Sequence, residues 1–167
     1  RAGRRAGPRP LAQRLGGGVI GYRHVDPRLP FIWEGPDQPP GRWHGDGEGP
    51  AHYLAETPDG AWAEFLRHEE IDDPRDLATI RRAIWAIEVP DDELEASPRL
   101  TRAVLTGGRD TYEECQAKAR RLRARGASRL RAPSAALQTG SSGWRVDNGL
   151  RPGPAHAESV VVLFGRR

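Results

Sequence analysis

Gly41-Arg42-Trp43-His44-Gly45, running on through Tyr53-Leu54-Ala55-Glu56-Thr57-Pro58 to Ala61 and Glu64, is the stretch around which the rest of the chain is organised. Arg42, Tyr53 and Glu64 follow one another at intervals of eleven residues. That interval leaves room for a turn, a strand and the first turns of a helix, so a guanidinium, an aromatic ring and a carboxylate can converge. Tyr53-Leu54-Ala55 reads as a short strand. Thr57 reads as an N-cap with Pro58 at the first helical position, and Ala61, Trp62, Phe65 and Leu66 as the apolar stripe of the helix that follows. Glu64 falls at the edge of that stripe, where a carboxylate can border a cleft.

Before this stretch, Val19-Ile20-Gly21-Tyr22-Arg23 reads as a first strand. The proline-rich residues 26–41 read as a loop that packs Phe31, Ile32 and Trp33 as an ordered flap. After it, Asp73-Pro74 predicts a helix through about Arg82, and Ile84 to Val89 a strand ended by Pro90. The acidic run from Asp91 to Glu95 predicts a short helix or turn. Asp110 with Glu113 has the pattern of a capping box, Gly126 stands just past a helix end, and Tyr112, Cys115, Ala119 and Leu122 share one face between them. Ser128 to Ala132 predicts a strand leading into Pro133-Ser134-Ala135, a turn that presents a serine hydroxyl. A Gly/Ser-rich loop at 139–143, a turn near Asn148-Gly149 and a last apolar strand from Ser159 to Phe164 complete the chain. Alternating strands and helices predict an α/β (α+β) domain.

The 167 residues are enough for one domain with a full core. The longest apolar run, Val160 to Phe164, is far short of a membrane span. The lone Cys115 cannot form an internal disulfide and reads as a small core residue of a cytoplasmic protein. The net charge of +3 is carried by five arginines among residues 1–18, a Gly/Pro/Arg-rich tail expected to be disordered, so residues 19–167 are slightly acidic. The tail and the seven basic residues between Lys118 and Arg131 leave open a nucleic-acid-binding module. The five histidines show no metal-ligand spacing, so no metal is expected.

Arg23 and Arg42, Tyr53, Glu64 and Ser134 suit a different chemistry, in which guanidinium forks grip an anion, an aromatic stacks on a flat ring, and a carboxylate opposes a developing cation. NAD fits, since its pyrophosphate is an anion, its nicotinamide a flat ring, and the ribosyl group a cation as nicotinamide departs.

Tyr22-Arg23, Gly41-Arg42-Trp43, Tyr53-Leu54-Ala55-Glu56-Thr57-Pro58 with Ala61 and Glu64, and Ala132-Pro133-Ser134-Ala135 occur in the order and spacing of a known family. Over about residues 20–165 the chain resembles the RES-domain family, bacterial toxins named for their arginine, glutamate and serine. The resemblance implies a fold like that of ADP-ribosyltransferase toxins, a mixed sheet split around an NAD cleft and flanked by helices, formed by residues 19–167. It implies cleavage of NAD at the nicotinamide–ribose bond, with phosphate or water as acceptor, or ADP-ribosyl transfer to a protein as the alternative. It implies a neighbouring antitoxin with a helix-turn-helix-like region that holds the enzyme inactive. Arg23 and Arg42 would bind the pyrophosphate, Tyr53 would stack, Glu64 would stabilise the cation and Ser134 would position the nicotinamide ribose. His24 stands where relatives carry tyrosine for nicotinamide or ribose stacking, His44 where they carry asparagine, and Pro40 where they carry glycine.

Overall fold

A computed structural model describes residues 18–32, 38–90, 95–137, 142–146, 150–155 and 157–165, the two stretches between 142 and 155 by their backbone alone. The tail, Trp33, the acidic run up to residue 94 and the turn at 147–149 lie outside the described residues. Six strands form one sheet: β1 (Gly18–Val25), β2 (Ala51–Ala55), β3 (Ala83–Pro90), β4 (Glu95–Ala96), β5 (Arg129–Pro133) and β8 (Ser159–Phe164). Their order is β3-β1-β2-β8-β5-β4, antiparallel except for β4 beside β5. β6 (Ser142–Val146) and β7 (Leu150–Ala155) pair as a separate antiparallel ribbon. The helices are α1 (Pro58–His68), α2 (Arg102–Thr106) and α3 (Tyr112–Ala124), which makes the fold α+β.

β8 is apolar from Val160 to Phe164, in keeping with cover on both its faces. Val160 and Val162 join Trp43, Ala51, Leu105, Cys115, Ala119, Leu130 and Ala132 on the side of α3, while Val161 meets Leu54 and Val89 on the other. Cys115 and Ala119 are fully buried, and their small side chains let α3 approach the sheet closely. Each buried valine or leucine adds about 1.5–3 kcal/mol.

The sheet is not evenly knit. β1 pairs with β3 along its whole length but with β2 only at Tyr22 opposite Ala55. The close approach depends on Gly21, where a Cβ would stand 2.8 Å from the Cβ of Leu54. Away from this point the strands part, and the Arg23 guanidinium bridges the gap to His52 Nδ1 at 2.8 Å. The split opens the cleft described below.

α1 begins as its sequence dictates: extended Thr57 accepts the N–H of Gly60 at 2.9 Å, and Pro58 occupies the first turn. The Thr57 hydroxyl in turn donates to Glu158 at 2.6 Å, setting a carboxylate at the positive end of the helix. Other expectations are corrected. The segment from Asp73 to Arg82 makes only a 3-10 turn over Asp76–Thr79, because Asp73 folds back on the backbone N–H and guanidinium of Arg75 and no apolar stripe follows. The Asp110–Glu113 capping box does not form. A 3-10 turn, Arg109–Thr111, leads into α3, and the Thr111 hydroxyl is engaged by Gly108 O and by Arg42 rather than by the helix. Gly126 stands past the end of α3 at φ +94, as expected. α2, the β6–β7 ribbon and the short β4 are additions that the pattern did not reveal. Among the described residues no helix is long and apolar enough to cross a membrane.

Candidate active site

The turn carrying Arg42 is built around Gly41. Backbone bonds join Gly41 and His44 in both directions, and Gln116 of α3 donates to both carbonyls. A Cβ at Gly41 would meet Tyr53 Oη at 2.7 Å and His44 Cε1 at 2.9 Å, so only glycine fits. Trp43 plugs the core, leaving Arg42 and His44 to work on either side of it.

His44 is 1% exposed and bridges Tyr53 Oη and the Pro39 carbonyl, each at 2.9 Å. A carbonyl can only accept, so Nε2 carries the proton and Nδ1 accepts the Tyr53 O–H. The Tyr53 oxygen then accepts the N–H of Trp43 at 3.0 Å. Burial raises the Tyr53 pKa and lowers that of His44, which keeps both groups neutral in this chain of bonds. Tyr53 is thereby locked with its ring on the cleft wall.

Arg42 is 8% exposed. It donates to Val104 O and Thr111 Oγ1 at 3.1 Å and to Gly107 O at 2.6 Å, and lies over the Tyr112 ring at 4.8 Å. Its guanidinium thus closes the C-terminal end of α2, although the side chain still lines the cleft. Arg67, one turn beyond Glu64 on α1, reaches the same Gly107 oxygen at 2.9 Å and Thr106 O at 3.2 Å. The pattern did not single out Arg67. Its only sequence signal was its spacing of three from Glu64, which places both on one helix face.

Glu64 faces the cleft from α1 and is fixed from behind. Its Oε1 accepts the Ser134 O–H at 2.6 Å and the N–H groups of Ala135 and Ala136 at 3.1 and 3.3 Å. Ser134 Oγ accepts the N–H groups of Ala136 and Leu137 at 3.1 and 2.8 Å. Ser134 is 2% exposed and is not among the residues lining the cleft, whereas its neighbours Pro133 and Ala135 are. The turn after β5 therefore presents donors to a carboxylate and hides its serine beneath it.

On β1, Arg23 is held by His52, and burial lowers its pKa without discharging a guanidinium. His24 accepts from Arg82 Nη2 at 3.1 Å and packs on the Phe65 ring, as Arg82 does from 4.7 Å. Burial, reinforced by the charges of Arg82, Arg23 and His68, pulls the His24 pKa down to about 4. His24 is neutral at physiological pH and serves as an acceptor.

Arg23, His24, Arg42, Tyr53 and Glu64 all line one cavity of about 290 Å³, together with Tyr22, Arg67, His68 and Tyr112. Its volume sits near the lower end of ligand pockets, roughly 300–1,000 Å³. Among the described residues Arg23, Arg42, Arg67 and Arg82 have no carboxylate within 4 Å, unlike Arg129 and Arg131 at the other edge of the sheet. Two like charges 4 Å apart repel by roughly 4 kcal/mol at an effective dielectric near 20, so arginines gathered around one cavity with no carboxylate in ion-pair contact favour an anion there. Among the described residues no three His, Cys, Asp or Glu side chains gather as a metal site would require. Buried Cys115, its pKa raised by burial, is an inert core thiol.

Among characterised proteins, the chain is 36% identical over 70 residues to the probable NAD(+) phosphorylase Rv3189 of Mycobacterium tuberculosis. The aligned part is 42% of this chain and 34% of that protein, so the match spans about a third of the relative's length. No solved structure matches the chain. The RES domain matches residues 20–150, which takes in the turn with Arg42, the Glu64 helix and the Ser134 turn, and the chain belongs to the RES domain family.

Proposed function

We propose that this protein cleaves NAD at the nicotinamide–ribose bond and passes the ADP-ribosyl group to phosphate or water. The observation that carries this reading is Glu64, a carboxylate pinned through one oxygen by Ser134 and two backbone N–H groups while it faces a cleft otherwise rich in arginine. As the C1′–N bond breaks, its electron pair neutralises the nicotinamide ring and positive charge develops on the ribose. The other oxygen of Glu64, unbonded among the described residues, opposes that charge without having to reorganise. A phosphate or water oxygen then bonds to C1′, and one proton is released for each NAD consumed. Arg23, oriented by His52, grips the pyrophosphate. Arg42 contributes charge to the same field while it ties α2 to the cleft. Tyr53 offers its ring to the nicotinamide end, and Ser134 acts on the ribose through the carboxylate that it holds. His24, neutral and packed on Phe65, takes the place of a stacking tyrosine. The similarity to a protein described as a probable NAD(+) phosphorylase supports phosphate as acceptor.

In this reading the enzyme is a cytoplasmic bacterial toxin, restrained by an antitoxin with a helix-turn-helix-like region that inserts an acidic or C-terminal carboxylate segment into the cationic cleft. Transfer to a protein is the alternative fate of the same cation. The nucleic-acid reading has less support. Arg120 is spent on Glu48, Arg123 on the Glu48 carbonyl and the Phe164 ring, and Arg131 on Glu56 and Glu95. The deciding assay is nicotinamide release from labelled NAD with phosphate and cell lysate present. Soluble ADP-ribose 1-phosphate or ADP-ribose supports consumption, label in a protein band supports transfer, and no release from the folded chain overturns the proposal. Inhibition by the antitoxin that weakens as NAD rises supports occlusion of the cleft.

A further inference from the structure

The arginines of the cleft are anchored in two different ways. Arg23 on β1 is tied to His52 across the split in the sheet, whereas Arg67 on α1 and Arg42 in the turn before β2 converge on the Gly107 carbonyl. Donating to one shared oxygen at 2.6 and 2.9 Å forces these two guanidinium groups to be near neighbours. Among the described residues neither has a carboxylate within 4 Å, and their acceptors there are neutral: three carbonyls and a hydroxyl. The two are not equivalent. Arg42 has committed both terminal nitrogens, whereas Arg67 has committed only Nη2, leaving Nε and Nη1 without partners among the described residues on a side chain that lines the cavity. Glu64 stands one helical turn before Arg67 on the same face of α1.

We infer that Arg67, backed by the charge of Arg42, forms an oxyanion subsite that holds inorganic phosphate as the acceptor, apart from the subsite in which Arg23 takes the dinucleotide's pyrophosphate. The inference rests on the NAD-cleaving reading and extends it to the second substrate. The uncommitted Nε–H and the Nη1 amino group of a guanidinium suit an oxyanion as separate charge-assisted donors, with Nη2 held back on the two carbonyls. One helical turn from Glu64, a bound phosphate lies beside the carboxylate that opposes the ribosyl cation. One of its oxygens then forms the new bond to C1′ as the bond to nicotinamide breaks, and the proton of the attacking HPO₄²⁻ leaves to solvent. Water admitted in place of phosphate gives ADP-ribose instead.

Two measurements on the full chain test this, using Arg67→Gln, which keeps a donor toward Gly107 but loses the charge and the remaining guanidinium donors. The first is equilibrium binding of inorganic phosphate to the chain without NAD, by calorimetry or phosphorus NMR. Saturable binding by wild type, weakened at least about tenfold in Arg67→Gln and little changed in Arg23→Gln, supports the subsite. No wild-type binding, or equal binding by wild type and Arg67→Gln, overturns it. The second is steady-state kinetics with phosphate and NAD varied separately. The expected result is an apparent KM for phosphate raised about tenfold or more, an apparent KM for NAD changed less than about threefold, and product shifted from ADP-ribose 1-phosphate toward ADP-ribose. A rise in the KM for NAD with that for phosphate unchanged overturns the assignment, because Arg67 then holds the dinucleotide's own phosphates. If Arg67→Gln does not fold, Arg67→Lys keeps the charge but cannot hold the two carbonyls and donate to an oxyanion at the same time from a planar guanidinium. A several-fold weaker phosphate affinity in Arg67→Lys supports the inference, and an unchanged affinity overturns it. If no nicotinamide is released at all, the NAD-cleaving proposal fails, while the binding measurement still decides whether Arg67 holds phosphate.

Discussion

Ser134→Ala separates two roles for the serine. Its hydroxyl donates to Glu64 at 2.6 Å and accepts two backbone N–H groups, and the residue does not line the cleft. Removing it costs Glu64 one charge-assisted hydrogen bond, about 1.5–3 kcal/mol, while the longer bonds from Ala135 and Ala136 remain. The carboxylate is therefore loosened rather than lost. At about 1.4 kcal/mol per decade, kcat should fall roughly 10- to 100-fold, with the KM for NAD changed less than about threefold. The Leu137 N–H loses its acceptor in the interior while that of Ala136 keeps Glu64, so the domain should also lose about 1–3 kcal/mol of stability. The assay is nicotinamide release with NAD varied at saturating phosphate, paired with denaturant unfolding of the same preparations. A KM raised tenfold at unchanged kcat would refute the positioning role and return Ser134 to direct contact with the ribose.

Glu64→Gln keeps the shape and removes the charge that opposes the cation, so nicotinamide release should slow about 10²- to 10³-fold with NAD binding nearly intact, as measured by single-turnover kinetics and calorimetry. Wild-type turnover by this variant would remove Glu64 from the mechanism. The depressed pKa of His24 predicts a pH-dependent stability: between its unfolded value of 6.5 and its folded value of about 4 the unfolded chain binds the extra proton. Stability should therefore be unaffected by this group above pH 6.5 and fall as pH drops toward 4, by up to about 3 kcal/mol, a slope that His24→Tyr should flatten in denaturant melts run across pH. Gly41→Ala places a methyl group against Tyr53 and His44 and should cost about 1–3 kcal/mol and raise the KM for NAD, readable from unfolding and kinetics on one variant.

What the sequence determined by itself is local or short in range. Thr57-Pro58 starts α1 because an N-cap oxygen and a proline ring act within one turn, and Gly126 ends α3 because only its own φ is at stake. The run from Ser159 to Phe164 is a strand whose composition already announces cover on both faces. The recurrence of arginine, tyrosine and glutamate along residues 42–64 brought Arg42, Tyr53 and Glu64 to one cleft, and Tyr22-Arg23 belongs to the same wall. Tertiary structure decided everything that depends on partners far away in sequence. Ser134 and Glu64 are 70 residues apart, and Arg42 and Gly107 are 65 apart. No periodicity reveals that the serine lies beneath the carboxylate, or that Arg42 turns to carbonyls while Arg67 keeps Nε and Nη1 uncommitted among the described residues. The same distant bond draws the Thr111 hydroxyl to Arg42, and α3 begins without the capping box that its residues spell. The split between β1 and β2 likewise follows from one steric approach, Gly21 on Leu54, and from Arg23 reaching His52 where a backbone ladder would otherwise continue. Such contacts are set by packing across the fold, and a side chain's identity states what it can bond to but not which distant partner the fold will bring to it.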